Sequence, residues 1–313
     1  IVNNAEVEFA QASAGTYAGA MSGTGGLTKT GAGALTLSGA NTYTGGTTLS
    51  GGTIQVGSNT ALGTGALAMA SGTTLDAGTA DRTLANAVAI TGTSTVDTNT
   101  GKTLTLGGVV SGSGTLTKID SGTLLLSGAN TYTGGTTLSG GTIQVGTNTA
   151  LGTGALAMAA DTTLKSGTNN LTLANAVGIT GAGTRTVDTN GNALTLGGVV
   201  SGDGALAKTG TGTLTLTGTN TYTGGTTVSA GRLTGTTSSV QGAIVNNAAV
   251  EFAQASTGTY AGAMSGTGAL TKTGAGTLTL TGTNTYTGGT TVSAGGLTGN
   301  TTSLQGAIVN NAE

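Results

Sequence analysis

The side chains that most often carry out catalysis are missing from this chain, because histidine and cysteine are both absent. Their absence excludes Ser-His-Asp and Cys-His nucleophilic catalysis and removes His and Cys as metal ligands. Carboxylate chemistry is left, and two pairs of acids stand close in sequence: Glu6 with Glu8, and Asp76 with Asp81. Glycan-cleaving enzymes use such carboxylates, together with basic partners, in one groove.

The acids are copied along the chain instead of being gathered once. Asp97 returns as Asp188, and Glu8 returns as Glu251. A catalytic site is normally unique, whereas residues that recur with a repeat are typical of a solvated surface. We therefore predict no catalytic residues and no enzymatic activity. A polysaccharide-active enzyme is kept as the less favoured alternative.

Two short segments resemble ligand-binding motifs, but neither satisfies its motif. Residues 99–103 (NTGKT) resemble the end of a phosphate-binding loop, yet Val96 stands where the first Gly is required and no helix is predicted to follow. No segment combines the Gly-Gly-x-Gly spacing of calcium repeats with Asp. Residues 97–99 and 188–190 (DTN in both) are interpreted as turn caps. We predict no cofactor-binding residues, no cofactor and no metal site.

A long internal repeat dominates the chain. Its clearest copy is LTKTGAGTLTLTGTNTYTGGTTVSAGG at residues 270–296. Self-similarity of this kind indicates a stack of similar structural units. The repeat occurs four times, with successive tyrosines 89, 90 and 64 residues apart, centred on Tyr43, Tyr132, Tyr222 and Tyr286.

Each repeat contains a strand pattern. In residues 277–281 (TLTLT) the Leu and Thr side chains alternate between two faces, and Gly274, Gly276 and Gly282 allow turns nearby. One short strand cannot bury its Leu stripe, so copies must stack in a parallel solenoid or pair in an antiparallel sandwich. Near-identical strands at long intervals favour the solenoid. With coils of roughly 20–25 residues, the spacings correspond to about four, four and three coils, and the chain to about 14.

Composition supports a narrow aliphatic core. Gly accounts for 62 of 313 residues, aromatic residues for 3% and charged residues for 6%, while the mean hydropathy is +0.17. Disorder is the alternative for such a chain, but the apolar residues keep a strand period. Net charge is −2, which gives no basic footprint for nucleic acid. No apolar run is long enough for a membrane span, so we expect no direct membrane insertion.

We predict one continuous β-solenoid over residues 1–313. Its sub-repeats are expected at about 1–49, 50–138, 139–243 and 244–307, with a restart at 308–313. The last six residues, IVNNAE, are identical to the first six. This identity indicates a window of a longer tandem array, or one turn of a polymer.

The repeated Tyr and Thr residues allow functional alternatives. We interpret the four tyrosines as covers over the edge of the Leu core with their hydroxyls in water, and stacking on sugars is the alternative. Outward rows such as Thr277, Thr279 and Thr281 raise the alternative of an ice-binding solenoid. We expect these rows to be too irregular to form one long flat ladder.

The unit LTKTGAGTLTLTGTNTYTGGTTVSAGGL (270–297) resembles the passenger-associated repeat of bacterial autotransporters. The intervening residues 84–118 are also similar to segments between such repeats, so the resemblance covers nearly the whole chain. The second copy departs from the pattern at residues 118–122, which read KIDSG. The resemblance implies an all-β, right-handed parallel β-helix displayed outside a Gram-negative cell, anchored at the outer membrane or released.

The resemblance and the repeats together predict a structural role. We expect an extracellular fibre or adhesin stalk that assembles head to tail into a filament or matrix fibre. The expected partners are the protein itself and host surfaces, neighbouring cell surfaces or glycans, with no nucleic acid among them.

Overall fold

A computed structural model describes residues 1–312, so the last residue of the predicted restart, Glu313, lies outside the described residues. Residues 1–312 are strands and turns and contain no helix. Within this range, no helix long and apolar enough to cross a lipid bilayer is found. The chain divides into two compact units, unit 1 (Ile1–Ala157) and unit 2 (from Met158 onward), which are described separately.

The strands of unit 1 are short because a Gly-containing turn follows nearly every one. They are β1 (Glu6–Ala10), β2 (Gly15–Tyr17), β3 (Gly26–Thr30), β4 (Ala34–Leu37), β5 (Thr47–Leu49), β6 (Thr53–Val56), β7 (Leu67–Met69), β8 (Thr73–Asp76), β9 (Arg82–Leu84), β10 (Val88–Ile90), β11 (Thr93–Asp97), β12 (Thr103–Leu106), β13 (Val110–Ser111), β14 (Thr115–Ile119), β15 (Thr123–Leu126), β16 (Thr136–Leu138) and β17 (Thr142–Val145).

Unit 2 has the same short elements, and β18 (Leu156–Met158) contains the boundary between the units. The strands of unit 2 are β19 (Thr162–Ser166), β20 (Leu171–Leu173), β21 (Val177–Gly178), β22 (Thr184–Asp188), β23 (Leu194–Leu196), β24 (Val200–Ser201), β25 (Ala205–Thr209), β26 (Thr213–Leu216), β27 (Thr226–Val228), β28 (Arg232–Gly235), β29 (Ile244–Asn246), β30 (Ala249–Ala253), β31 (Gly258–Tyr260), β32 (Met264–Ser265), β33 (Ala269–Thr273), β34 (Thr277–Leu280), β35 (Thr290–Val292), β36 (Gly296–Thr298) and β37 (Ile308–Asn310).

Unit 1 is a parallel solenoid with three sheets. Their strand orders are β1-β3-β5-β7-β10-β13, β2-β4-β6-β8-β11-β14-β16 and β9-β12-β15-β17. Along one column, Leu27 pairs with Thr47, Thr47 with Leu67, Leu67 with Val88 and Val88 with Val110, so one coil takes 20 to 22 residues there. Every described pairing is parallel, as stacked coils require.

Unit 2 is built in the same way. Its long sheets run β19-β22-β25-β27-β29-β32 and β20-β23-β26-β28-β30-β33-β35-β37, and two shorter sheets are β21-β24 and β31-β34-β36. The coils are slightly shorter near the end, where Thr226 pairs with Ile244 and Thr290 with Ile308. The predicted all-β, right-handed parallel β-helix is therefore confirmed, with about 15 turns where about 14 were expected.

The Leu ladders lie inside each coil, as the alternation predicts. In β12, Leu104 and Leu106 are buried while Thr103 and Thr105 face outward. Leu106 stacks between Leu84 and Leu126 of the adjacent coils. Each fully buried Leu contributes about 1.5–3 kcal/mol by leaving water, so like residues in register hold successive coils together.

The repeats are not separated by whole numbers of coils, which corrects the expectation of four, four and three. In unit 1, β3 of the first repeat is followed by β5, β7, β10 and β13 in its own sheet, and β14 of the second repeat then lies in the next sheet. In unit 2, β25 is followed by β27, β29 and β32 in its own sheet, and β33 of the next repeat then lies in the neighbouring sheet. Each repeat is thus offset by one additional side of the coil within its unit.

The restart predicted at 308–313 adopts the structure of its earlier copy as far as it is described. Ile308–Asn310 pairs with β35 in the register in which Ile244–Asn246 pairs with β27. The predicted sub-repeat boundaries and the single continuous solenoid stay predictions.

Candidate functional site

The predicted pair Glu6 and Glu8 lies on the outer face of β1, where both side chains are exposed. Each carboxylate accepts a hydrogen bond from a threonine of the next coil, Glu6 from Thr28 and Glu8 from Thr30. No basic side chain forms an ion pair with either acid, since the two ion pairs within residues 1–312 are Lys165–Asp188 and Arg232–Glu251. This pair supports coil stacking and lacks the basic partner that a glycan-cleaving site needs.

The second predicted pair, Asp76 and Asp81, is engaged in turn structure. Oδ1 of Asp76 accepts the Gly78 amide over 2.7 Å, and Oδ2 accepts Nε2 of Gln55 over 2.8 Å. Oδ1 of Asp81 accepts the amide of Thr103 over 2.8 Å. Because these oxygens already accept hydrogen bonds from their surroundings, the two carboxylates hold coils and turns together.

The DTN segments differ from one another. Oδ1 of Asp188 accepts the amide of Asn190 over 2.8 Å, which confirms the predicted turn cap. Oδ1 of Asp97 is buried and has no hydrogen-bond partner, so the cap predicted at 97–99 is not formed through this atom. Residues 99–103 form a turn that leads into β12, and a strand offers no helix N-terminus for a phosphate. Within residues 1–312, no group of three or more Asp or Glu residues is arranged to hold a metal ion.

Four buried lysines were not anticipated from the sequence. The Lys of each Leu-Thr-Lys or Leu-Ala-Lys leader points inward, and none of its surface is exposed. Nζ of Lys272 donates to the carbonyl oxygens of Thr273 and Gly274 over 2.7 Å, and to Ala294 in the next coil over 3.1 Å. Three carbonyl acceptors match the three N–H donors of an ammonium group. Lys29, Lys118 and Lys208 make the same pattern of contacts.

Burial affects the charge of these lysines. Desolvation lowers the pKa of all four, and to about 8 for Lys118 and Lys208. The nearby carboxylates of Asp97 and Asp120 raise the pKa of Lys118 again in part. At neutral pH the ammonium form of Lys118 and Lys208 therefore prevails, held by the carbonyl oxygens around it.

The Asn of each repeat connects three successive coils. Oδ1 of Asn130 accepts the amide N–H of Val110 in the coil before, over 2.7 Å, and Nδ2 donates to Ala150 O in the coil after, over 2.6 Å. Both bonds are buried, so they stabilise the stack without competition from water. The same bridge is formed by Asn41, Asn220 and Asn284.

The repeat tyrosines are buried completely, which corrects the expectation that their hydroxyls reach water and excludes stacking on sugars. Tyr132 has no exposed surface, and its hydroxyl lies 2.6 Å from Oγ1 of Thr136. Burial raises the pKa of Tyr43 and Tyr132 to about 12. The other repeats form the same pair, Tyr43 with Thr47, Tyr222 with Thr226 and Tyr286 with Thr290.

One arginine of unit 2 is also buried. Arg185 is 1% exposed, and its guanidinium donates to the carbonyl oxygens of Met158, Gly181 and Gly183 among others. With the four lysines, five of the nine cationic side chains are therefore inside the coils. Each of the ten acids within residues 1–312 keeps part of its surface exposed, so the exposed surface is more acidic than the net charge of −2 suggests.

A groove of about 330 Å³ lies at the last described coil of unit 2, lined by Val292, Leu297, Leu304 and Ile308 together with Gly295, Gly296 and Asn310. The apolar residues equivalent to its lining, 64 residues earlier, are buried under the next coil: Leu233 pairs with Val250, and Ile244 with Met264. The groove therefore has the shape of a coil-stacking surface and carries no convergent charged groups.

The four repeats match a known family model, described as the passenger-associated-transport-repeat, at residues 27–56, 116–145, 206–234 and 270–302. The chain is also similar to the adhesin BmaC autotransporter of Brucella suis biovar 1 (strain 1330), with 43% identity over 197 residues. That match covers 62% of this chain, and the matched part is 6% of the relative's length. No solved structure matches the chain. The buried Lys, Asn and Tyr residues of each repeat fall inside the four matched segments, although the partners of each Asn lie in the coils just outside them. The chain therefore carries four passenger-associated-transport repeats, as the resemblance predicted.

Proposed function

We propose that this chain is a structural, non-enzymatic segment of a surface adhesin, in which stacked coils form a stalk. The observation that carries the proposal is the use of the repeat's polar residues. In all four repeats the Lys, Asn and Tyr side chains are consumed by bonds within and between coils. The repeat thus builds coils and presents no group for chemistry.

The similarity to an adhesin autotransporter supports a location outside a Gram-negative cell. We propose that the chain is displayed at the cell surface or released from it, and that its partners are host or neighbouring cell surfaces or their glycans. The acidic exposed surface argues against nucleic acid as a partner, because a polyanion is attracted by basic patches. Adhesion would then rest on hydroxyl and amide groups of the outer faces.

End-to-end stacking belongs to the same proposal. The coil that begins at Ile308 repeats the pairing of the coil that begins at Ile244. In the earlier copy, β30 and β32 complete the stack by pairing with β28 and β29. A coil of like sequence fits the later copy in the same way, and such addition would extend a fibre.

The test uses the purified full chain and has two arms. In the first, single molecules are pulled by atomic force microscopy. A stalk should lengthen in small successive steps of about one coil, because each coil contacts its neighbours alone. In the second, pectin-like and alginate-like polysaccharides are incubated with the chain. Release of reducing sugar would overturn the non-enzymatic assignment, and binding to immobilised cells or glycans without cleavage would support it.

Ice binding is the second candidate, and one observation favours it. In unit 1 five threonines stand in register in one outward column, which is a longer ladder than the sequence led us to expect: Thr53, Thr74, Thr95, Thr117 and Thr137. The outward column on one side contains Gln55, Asp76, Asp97 and Ile119. On the other side Thr93 pairs with Thr115, so the Thr surface is two residues wide at these two coils and is interrupted elsewhere. Thermal hysteresis at micromolar protein tests this candidate, and its absence would remove it.

A further inference from the structure

One coil of unit 1 is unusually short of hydrogen bonds. Within residues 1–312, three buried side-chain oxygens have no partner: Oγ of Ser94, Oδ1 of Asp97 and Oγ1 of Thr98. All three lie within five consecutive residues, in β11 and the turn after it. A buried polar atom without a partner loses its hydrogen bonds to water and gains none in return, so this coil is a local weak point.

The equivalent coil of unit 2 is fully bonded. Residues 184–188 (TRTVD) correspond to residues 93–97 (TSTVD). Arg185 replaces Ser94 and fills the interior with a guanidinium bonded to carbonyl oxygens. Oδ1 of Asp188 accepts the Asn190 amide. Thr189, the counterpart of Thr98, accepts Nζ of Lys208 over 2.9 Å. The two coils therefore form a matched pair within one chain.

The outward neighbours of the two aspartates have opposite charges. Asp97 stands in register with Asp76 of the preceding coil, whereas Asp188 stands in register with Lys165. Nζ of Lys165 lies 3.9 Å from Oδ2 of Asp188. In-register partners on adjacent strands are about 5 Å apart, and like charges at this separation destabilise the pairing. Unit 1 thus holds a carboxyl pair where unit 2 holds an ion pair.

The surroundings decide which carboxyl of the pair takes a proton. Asp76 accepts hydrogen bonds from Gln55 Nε2, the Gly78 amide and, at 3.5 Å, Asn99 Nδ2. Asp97 has the unpartnered Oδ1. Burial raises the pKa of Asp97, the charges of Asp76 on β8 and Asp120 after β14 raise it further, and Lys118 on β14 lowers it. Asp97 is therefore the proton acceptor.

We propose that Asp76 and Asp97 take up one proton between them as pH falls toward the ordinary Asp range, and that this proton tightens the β8–β11 contact of unit 1 while the equivalent Lys165–Asp188 contact of unit 2 gains nothing. The coil opens most readily when Asp76 and Asp97 are both charged. When Asp97 is neutral, its buried Oδ1 carries a lower desolvation cost and the side chain no longer repels Asp76. In unit 2, Asp188 faces the opposite charge of Lys165, so no like-charge repulsion is relieved there.

The sign of the effect follows from linkage. The folded-state pKa of Asp97 is raised above its unfolded value, so the folded coil binds more protons than the opened one between these two values. Stability of this coil then increases as pH falls through the raised pKa and is fully gained below about 3.9, the ordinary Asp value. While the folded coil holds one additional proton, its opening equilibrium changes by up to about tenfold for each pH unit.

Hydrogen exchange with mass spectrometry on the full chain tests the proposal without any substitution. Protection of a peptide covering residues 93–99, corrected for the intrinsic exchange rate, should rise as pH falls from 7.5 to about 3.9, the ordinary Asp value. Protection of the peptide covering 184–190 should stay level or fall. Equal pH dependence of the two coils, or falling protection in both, would overturn the proposal.

Two variants sharpen the test. In Asp97→Asn the carboxyl is replaced by a neutral group of the same shape, so residues 93–99 should be protected already at pH 7.5 and should lose their pH dependence. Asp76→Lys reproduces the arrangement of unit 2 and should raise protection at pH 7.5 even if Asp97→Asn folds poorly. Retention of the wild-type pH profile in Asp76→Lys would contradict the shared proton. Calcium chloride at pH 7.5 is the last arm: protection gained with the ion and lost with chelator would assign the pair to a cation instead.

Discussion

Val110 and Asn130 lie on successive coils, and the amide of Val110 donates to Oδ1 of Asn130 inside the core. A side chain here completes the backbone hydrogen bonding that a regular strand would otherwise supply, because residues 127–135 around Tyr132 are not in a strand. The side-chain amide of Asn130 also donates, through Nδ2, to the carbonyl oxygen of Ala150 in the following coil. One Asn thus substitutes for two ladder bonds at the irregular side of each repeat.

This bridge predicts a large effect of Asn130→Ala. The change leaves the Val110 N–H and the Ala150 C=O buried without partners, and each such group costs about 1–3 kcal/mol. We expect a loss of about 2–4 kcal/mol in the local opening free energy of the coils that contain these residues, measured by hydrogen exchange. The control is Thr131→Ala, an exposed neighbour whose replacement should change the value by less than about 0.5 kcal/mol. Equal effects of the two substitutions would contradict the bridge.

The Tyr132–Thr136 contact separates packing from hydrogen bonding. Tyr132→Phe keeps the ring and leaves Oγ1 of Thr136 without its 2.6 Å partner, so we expect a loss of about 1 kcal/mol. Tyr132→Ala also empties the space of a fully buried ring and should cost about 3–5 kcal/mol. Thermal unfolding of both variants beside the wild type gives the comparison. If Tyr132→Phe proved as damaging as Tyr132→Ala, the ring would not be the main contribution.

The fold was predictable because Leu and Thr alternate with a strict period of two. In residues 103–106 (TLTL) that parity alone places Leu104 and Leu106 inside, and the structure confirms it. Register was harder to predict. Coil length varies, with 20 residues from Leu27 to Thr47 and 23 from Thr162 to Arg185. Spacing alone therefore could not reveal that, within a unit, the next repeat begins in the neighbouring sheet instead of the same sheet.

The buried polar residues were missed for a physical reason. Parity places Lys29 on the same inward face as Leu27, but charged residues are almost never fully buried unless paired, and that general rule decided the interpretation. The missing information was the ring of carbonyl oxygens at the turn, which forms only when two coils are stacked. Recurrence of Lys, Asn and Tyr in all four repeats was the signal that could have indicated a shared structural role.

The buried lysines and tyrosines predict an alkaline stability maximum. The folded-state pKa of Lys118 and Lys208 is about 8, below the usual value near 10.4, so the unfolded chain binds more protons between these values and stability rises with pH there. The pKa of Tyr43 and Tyr132 is about 12, so stability that is present below pH 10 is lost between about 10 and 12. Urea midpoints should therefore be highest near pH 10.

A matched pair of variants checks the lysine part of this profile. Lys118→Met removes one titrating group and should reduce the increase in unfolding free energy between pH 8 and 10. The reduction should be up to about 3 kcal/mol, because each unit by which the pKa is lowered corresponds to about 1.4 kcal/mol. Lys102→Met changes a lysine that is only half-buried, so the rise should persist. A rise of wild-type size in Lys118→Met would show that another group produces it.

Close contact between coils sets the last prediction, through Gly134. A Cβ at this position would lie 2.5 Å from the carbonyl oxygen and 2.6 Å from the carbonyl carbon of Gly114 in the preceding coil. Backbone atoms at that distance cannot yield as a flexible side chain would, so Gly134→Ala should separate the two coils and cost about 1–3 kcal/mol. Gly107→Ala is the control, because its Cβ would meet its nearest atom, the Leu84 carbonyl oxygen, at 3.4 Å, an ordinary contact. It should be neutral or stabilising by up to about 1 kcal/mol, since Ala restricts the unfolded chain. Urea denaturation of both variants measures the difference, and equal stability would mean that the coils at Gly134 lie further apart than described.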